Sequence, residues 1–148
     1  MKKYILISTS LLWSMVLFHN ICFSQERSPA VMSIAKDIQR AIIAEDAGRL
    51  MSHVRKRVVF VDEYYSKEIL GELIKDRESW LQRNLFVGDD SLKKYFETAR
   101  DVKIILNNVG SEVVISYQSS NYPAHAWPWC SIVVENERWY FSDMFAYR

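Results

Sequence analysis

The spacing of apolar residues changes partway along the chain. Before about residue 100 they recur every three or four positions, and after it every second position. Val31, Ile34, Ala35, Ile38, Ala41 and Ile42 form one helical face, with Lys36, Asp37, Gln39, Arg40 and Glu45 opposite. Ser28 suits the N-cap and Pro29 the first helical position. Asp46-Ala47-Gly48 is expected to end this helix, and Leu50, Met51 and Val54 mark a short second one. Val58 to Val61 is a β-branched and aromatic run, read as a strand. Ser66 then caps a long helix over about 66–86, with Ile69, Leu70, Leu73, Ile74, Trp80, Leu81 and Leu85 along one side. Gly71 costs that helix about 1 kcal/mol relative to alanine, which the periodicity outweighs. Gly88-Asp89-Asp90 breaks the chain, and Ser91 to Ala99 supplies further helical turns. Strands follow at about 101–107, 112–118, 126–134 and 138–145, separated by turn residues at Asn107 to Ser111, Ser119 to Pro123 and Glu135-Asn136-Glu137. Helices first and hairpin-connected strands after them predict an α+β domain, its N-terminal helices packed on an antiparallel sheet. Ile69, Leu73, Trp80 and Leu81 are expected to be buried against that sheet.

The first 24 residues follow a different pattern. Lys2 and Lys3 precede an apolar run from Tyr4 to Phe18, and the small residues Cys22 and Ser24 sit two apart. Basic, apolar, then small is the order of a secretory signal peptide. Cleavage after Ser24 leaves residues 25–148 as a single exported domain, periplasmic or secreted. Two other fates are weighed. Lipid on Cys22 is disfavoured by Ile21 and His19 upstream. Retention of residues 4–23 as a membrane anchor is weakened by Ser8, Thr9, Ser10, His19 and Asn20, in a run close to the roughly 20 apolar residues a span needs.

The charge balance excludes some partners. Lys and Arg total 19 against 18 acids, and the signal takes two lysines, so the net charge passes from +1 to −1. No basic excess draws nucleic acid, and no membrane association is expected after cleavage. Cys130 remains alone after Cys22 leaves, so an exported domain has no internal disulfide here. With only four glycines in the chain, none clustered, no glycine-rich phosphate loop exists. No cofactor is expected.

The element order resembles the NTF2-like (cystatin-like cone) superfamily. Ala44-Glu45-Asp46-Ala47-Gly48-Arg49-Leu50 looks like that superfamily's first-helix exit, and Asn136-Glu137-Arg138-Trp139-Tyr140-Phe141 like its closing hairpin. The likeness covers about residues 29–145. It implies a curved sheet wrapped around a long helix, with a conical pocket between them. It implies no single activity, since the superfamily holds isomerases, dehydratases, polyketide cyclases and binding modules.

Several residues are candidates for chemistry. Asp62 and Glu63 end the first predicted strand and are followed by Tyr64 and Tyr65. A carboxylate in an apolar pocket acts as a general acid or base, and a tyrosine supports an oxyanion. Solvation at a strand end is the plainer expectation. His125, near the start of a strand, is a better proton-transfer candidate than His53, which lies among Arg55, Lys56 and Arg57. Two isolated histidines without matching ligands make no metal site. Cys130 is read as an inert buried thiol. Aromatic residues crowd the last strands, and Tyr117, Trp127, Trp129 and Trp139 are ligand-pocket candidates together with Asp62, Tyr64 and His125. Trp127, Trp129 and, across a hairpin, Trp139 are expected on one sheet face, either lining a pocket or filling the core. Arg55-Lys56-Arg57 reads as a solvated helix exit rather than an anion site.

These features favour an exported, non-catalytic domain that binds a small apolar ligand or a protein through the cone or the exposed sheet, with homodimerisation through the sheet as one form. Two alternatives stand beside it. One is a small isomerase or dehydratase using Asp62 or His125 with a tyrosine. The other is an inhibitor or immunity-type protein that blocks a secreted hydrolase with a loop such as Ser119–His125. The processing expectation is directly testable. Intact mass of protein recovered outside the cytoplasm should correspond to a chain starting at Gln25, and a mass retaining residues 1–24 or carrying lipid on Cys22 would overturn it.

Overall fold

A computed structural model of the chain describes residues 29–60 and 63–146. The stretch expected to be an export signal, Ser28, and Val61 and Asp62 at the end of the first expected strand therefore lie outside the described residues. Residues from Met32 onward belong to one compact unit.

Helix α1 (29–43) buries Ala35, Ile38, Ala41 and Ile42, the face expected from its spacing. It ends earlier than Asp46. Glu45 takes a left-handed φ of 54°, Asp46 N–H donates to Ala41 O (2.8 Å) and Glu45 N–H to Ile42 O (3.1 Å). That is a Schellman-type end, with glutamate in the position glycine usually holds. Asp46 instead starts helix α2 (Ala47–Ser52), its carboxylate accepting from Arg49 N–H at 2.9 Å. Ala47 and Gly48 thus open a helix rather than close one.

Strand β1 (Arg57–Phe60) is followed by a strand that the sequence did not announce, β2 (Glu63–Ser66), paired antiparallel to β1 from Arg57–Ser66 to Phe60–Glu63. Ser66 then caps α3 (Lys67–Leu73) as expected, its hydroxyl accepting from Ile69 N–H. The expected long helix over 66–86 is broken. Helix α3 stops at Leu73 and α4 begins at Trp80 (Trp80–Gln82), passing into a π-helical turn over Arg83–Val87. Ser79 causes the break. Its hydroxyl donates to Leu73 O, the end of one helix, and accepts from Gln82 N–H (3.1 Å), the start of the next. Asp76 assists by accepting from Glu78 N–H at 3.0 Å in an Asx turn. The break changes which residues are buried. Leu70, Ile74 and Leu81 are buried, Leu73 and Trp80 only half so, and Ile69 is 49% exposed. Helix α5 (Leu92–Thr98), capped by Ser91, precedes the final strands.

The last four strands are β3 (Lys103–Val109), β4 (Glu112–Gln118), β5 (Trp129–Glu135) and β6 (Arg138–Ala146). Two-residue turns join β3 to β4 and β5 to β6. Gly110 (φ 60°) serves the first, and Asn136 and Glu137 (φ 48° and 64°) the second, matching the twist of a hairpin. β5 begins three residues later than expected, because Ala124–Ala126 coil into a 3-10 turn. The sheet order is β2-β1-β6-β5-β4-β3. It is mixed, not purely antiparallel, since β1 joins β6 in parallel through Val59–Asp143 and Phe60–Met144. Nor do all helices precede the strands, because the β1–β2 hairpin separates α2 from α3. The α+β class holds.

One face of the sheet carries the core: Val58, Phe60, Val113, Ile115, Tyr117, Cys130, Ile132, Phe141 and Met144 are all buried. Helices meet this face. Trp80 stacks near Phe60 (5.0 Å between centroids), Phe96 against Tyr117 (5.0 Å), and the Tyr117 hydroxyl donates to Ala35 O at 2.8 Å. A polar clasp joins α1 to α2 at the surface. Asp37 accepts from Arg49 and lies 3.2 Å from His53 Nε2, while the His53 carbonyl accepts from Phe141 N–H. The Arg49 hydrogen bond, aided by His53, holds the Asp37 carboxyl below its ordinary value of 3.8 against the opposing effect of burial. A folded-state value below the unfolded one gives stability that is present above the unfolded pKa and lost as pH falls through the folded one. Thermal melts against pH should therefore show Asp37→Asn destabilised near neutrality and its difference from wild type shrinking in acid. An unchanged difference across that range would remove the clasp from the account.

Candidate functional site

The core face is covered by buried side chains, and the concavities considered among the described residues open at the surface. Strand alternation fixes what each face carries. Residues directly opposite in an antiparallel pair share a face. Trp129 faces Ser116, Ser131 faces Val114 and Val133 faces Glu112. Ile105 joins them through Ser116, and Tyr140 through Val133. Ile105, Val114, Ser116, Trp129, Val133 and Tyr140 are all half-buried, so this second, outer face is apolar but not fully covered. Trp127 stands beside it. Its indole N–H donates to the carbonyls of Tyr122 (3.0 Å) and Ser119 (3.2 Å), which fixes the ring against its own loop. A shallow groove of about 390 Å³ runs between Trp127, Trp129, Val114, Ser116 and Ala124.

The loop holding Trp127 is itself anchored. Ser119 Oγ donates to Arg100 O and accepts from Arg100 N–H (2.8 and 3.0 Å), and Asn121 bridges Arg100 N–H and Thr98 O. Arg100 N–H thus meets two acceptors, and α5 is tied to the loop that follows β4.

A second concavity of about 520 Å³ opens on the other side of this loop, lined by Asn84, Asp89, Asp90, Tyr95, Tyr122 and His125 among others. The Tyr95 and Tyr122 rings meet in a tilted contact, 4.7 Å between centroids. Tyr95 has its hydroxyl committed, donating to Tyr117 O at 2.7 Å, and burial, more than nearby Tyr122, pushes its phenol up to about 12. It is a poor proton donor. His125 is exposed on the 3-10 turn, and no side chain among the described residues hydrogen-bonds its ring.

The six described candidate residues do not gather at one site. Tyr117 is fully buried in the core, where burial raises its phenol well above 10. Tyr64 is 68% exposed on β2, with the Arg57 guanidinium 4.7 Å from its ring centre. Trp127 and Trp129 share the outer face, whereas Trp139 pairs with Val134 and so points to the opposite side. The shared face expected for all three tryptophans is corrected to two. His125 lines its own cleft, and Asp62 is outside the described residues. Cys130 is buried, and burial, with the Asp143 charge, pushes its thiol far up, which suits a packing role. Among the described residues, no group of three or more His, Cys, Asp or Glu side chains gathers to hold a metal. Sequence reasoning missed Asn84, Asp89, Asp90 and Tyr95 as cleft residues. Gly88-Asp89-Asp90 carries only a chain-break signal, and nothing in its spacing shows that the loop after β4 folds back onto α5.

Neither a protein-family model nor a curated protein matches the chain. No described helix is long and apolar enough to cross a membrane.

The different settings of these residues give distinct expectations. Trp127→Phe keeps most ring area but loses the indole N–H bond, and should cost about 1 kcal/mol in urea unfolding. His125→Ala, at an exposed position, should stay within about 0.5 kcal/mol. Equal losses at both positions would contradict this description of the loop.

Proposed function

We propose that the chain is an exported, non-catalytic binding domain of the NTF2-like type, and that it pairs with a second copy of itself through the outer sheet face. The observation that carries this reading is the half-exposed pair Trp127 and Trp129 on a sheet face whose other side is a filled core. Aromatic side chains left partly exposed beside valine and isoleucine suit a protein interface. A shallow, open groove suits a protein better than a small ligand, which favours enclosed concave sites. Charge supports a second copy. Lys103 and Glu112 lie on this face at opposite ends of the β3–β4 hairpin. In a two-fold, face-to-face arrangement with the strands reversed, Lys103 comes to the partner's Glu112 and the converse.

Support for the NTF2-like reading is the anchoring of α1 to the core face at Ala35, with a four-strand meander ending in the Trp139 hairpin. Support for export is the order of residues 1–24. What favours binding over catalysis is the state of the polar cleft. The Tyr95 hydroxyl is committed to a backbone carbonyl, and among the described residues no side chain orients the His125 ring.

Sedimentation velocity on residues 25–148 tests the pairing. Wild type should shift from monomer to dimer as concentration rises, and Trp129→Glu should remain monomeric with unchanged circular dichroism. A wild-type monomer at every concentration, or a Trp129→Glu dimer, would refute the reading.

A further inference from the structure

A concavity of about 550 Å³ lies where the chain leaves α2, beside the β1–β2 hairpin and the β5–β6 turn, and Arg55, Lys56, Arg57, Lys67, Glu135 and Tyr140 line it. Four cations converge there in a chain whose overall charge is only +1. The backbone brings them together. Lys67 N–H donates to Lys56 O at 3.0 Å, which sets the start of α3 beside the start of β1. Two of the cations are held in place. Arg55 pairs with Glu135 and donates from Nε to Arg57 O, and Arg57 sits over the Tyr64 ring. Lys56 and Lys67 are exposed and form no ion pair among the described residues. Two acids face the cluster. Glu135 is engaged by Arg55. Glu68 is held below the usual carboxylate range by its own backbone N–H and the Ser66 hydroxyl, and after these by Lys67 and Lys56. Four positive charges against two negative leave a positive excess at one concave spot.

We infer that this groove is a binding site for a phosphate-bearing anion, with Lys56 and Lys67 supplying the ammonium contacts and Arg55 and Arg57 a fixed positive wall. The arginines are oriented before any ligand arrives, so less side-chain entropy is lost on binding. Guanidinium and ammonium groups make charge-assisted bonds to phosphate oxygens, and the Tyr140 ring forms part of the wall. The same chemistry is offered by phosphate free in solution and by phosphate on a lipid headgroup. The inference does not depend on the sheet-face pairing.

Two measurements on residues 25–148 separate the sources. Calorimetric titration with inorganic pyrophosphate tests soluble phosphate. Flotation with vesicles of phosphatidylglycerol in phosphatidylcholine, against pure phosphatidylcholine, tests the headgroup. The Lys56→Gln/Lys67→Gln double variant changes exposed side chains only. It should keep the circular dichroism and sedimentation of wild type while losing roughly tenfold or more in whichever binding wild type shows. Raising salt should weaken that binding. Pyrophosphate binding alone assigns the site to soluble phosphates, and vesicle binding alone assigns it to a headgroup. If wild type binds neither probe, or the double variant binds as wild type does, the site does not exist. Trp129→Glu should bind pyrophosphate normally, so failure of the pairing leaves this result readable.

Discussion

The fold turns on one buried residue, Tyr117. Its hydroxyl donates to Ala35 O on α1, its carbonyl accepts from the Tyr95 hydroxyl on α5, and its N–H donates to Pro128 O at 3.0 Å, just before β5. Its ring packs against Phe96 and, farther off, Phe145. A single residue, through its side chain and its backbone, therefore ties two helices and the neighbouring strand's lead-in to β4, the strand next to the edge. A buried phenol is tolerated only with its hydrogen bond made, so the position of α1 is set by a specific bond as well as by apolar area.

That constraint decides where function can sit. Tyr117, Phe96, Phe141 and Phe145 are all buried between the helices and the core face of the sheet. The two surfaces proposed for binding lie outside this core: the second sheet face with Trp127 and Trp129, and the basic groove at the β1–β2 edge. Both surfaces are positioned by the same frame. The anchored loop after β4 holds Trp127, and the β1–β2 hairpin brings Lys67 beside Lys56.

Much of this was legible in the sequence. Period-two alternation placed β3, β4 and β6 closely, and Ser66 announced the start of α3. The β5–β6 turn was read from Glu135-Asn136-Glu137. The misses have physical causes. Apolar spacing continues from Ile74 to Trp80 as though one helix ran through, but Ser79 caps both fragments, and a capping hydroxyl three residues beyond an aspartate does not disturb the period. Glu63 to Ser66 is too short and too polar to declare itself a strand, and becomes one by pairing with β1. The parallel join of β1 to β6 is a long-range contact with no local signature. Trp139 shows how register overrides counting. It lies on the face opposite Trp129 because the β5–β6 turn holds only Asn136 and Glu137, so Glu135 pairs with Arg138 and Trp139 with Val134; a turn that also took in Glu135 would shift the pairing by one residue and put Trp139 opposite Val133, on the face of Trp129. The basic groove was visible only in part, as Arg55-Lys56-Arg57, since Lys67 and Tyr140 come to it through tertiary structure.

The central claim is that the inner face is closed core and the outer face is the working surface. Hydroxyl-radical footprinting of residues 25–148, read residue by residue in dilute and concentrated solution, addresses both halves at once. The account predicts Tyr117 unmodified at both concentrations, with Trp127 and Trp129 oxidised when dilute and protected when concentrated. Labelling of Tyr117 in the folded protein, or equal labelling of the two tryptophans at both concentrations, would contradict it.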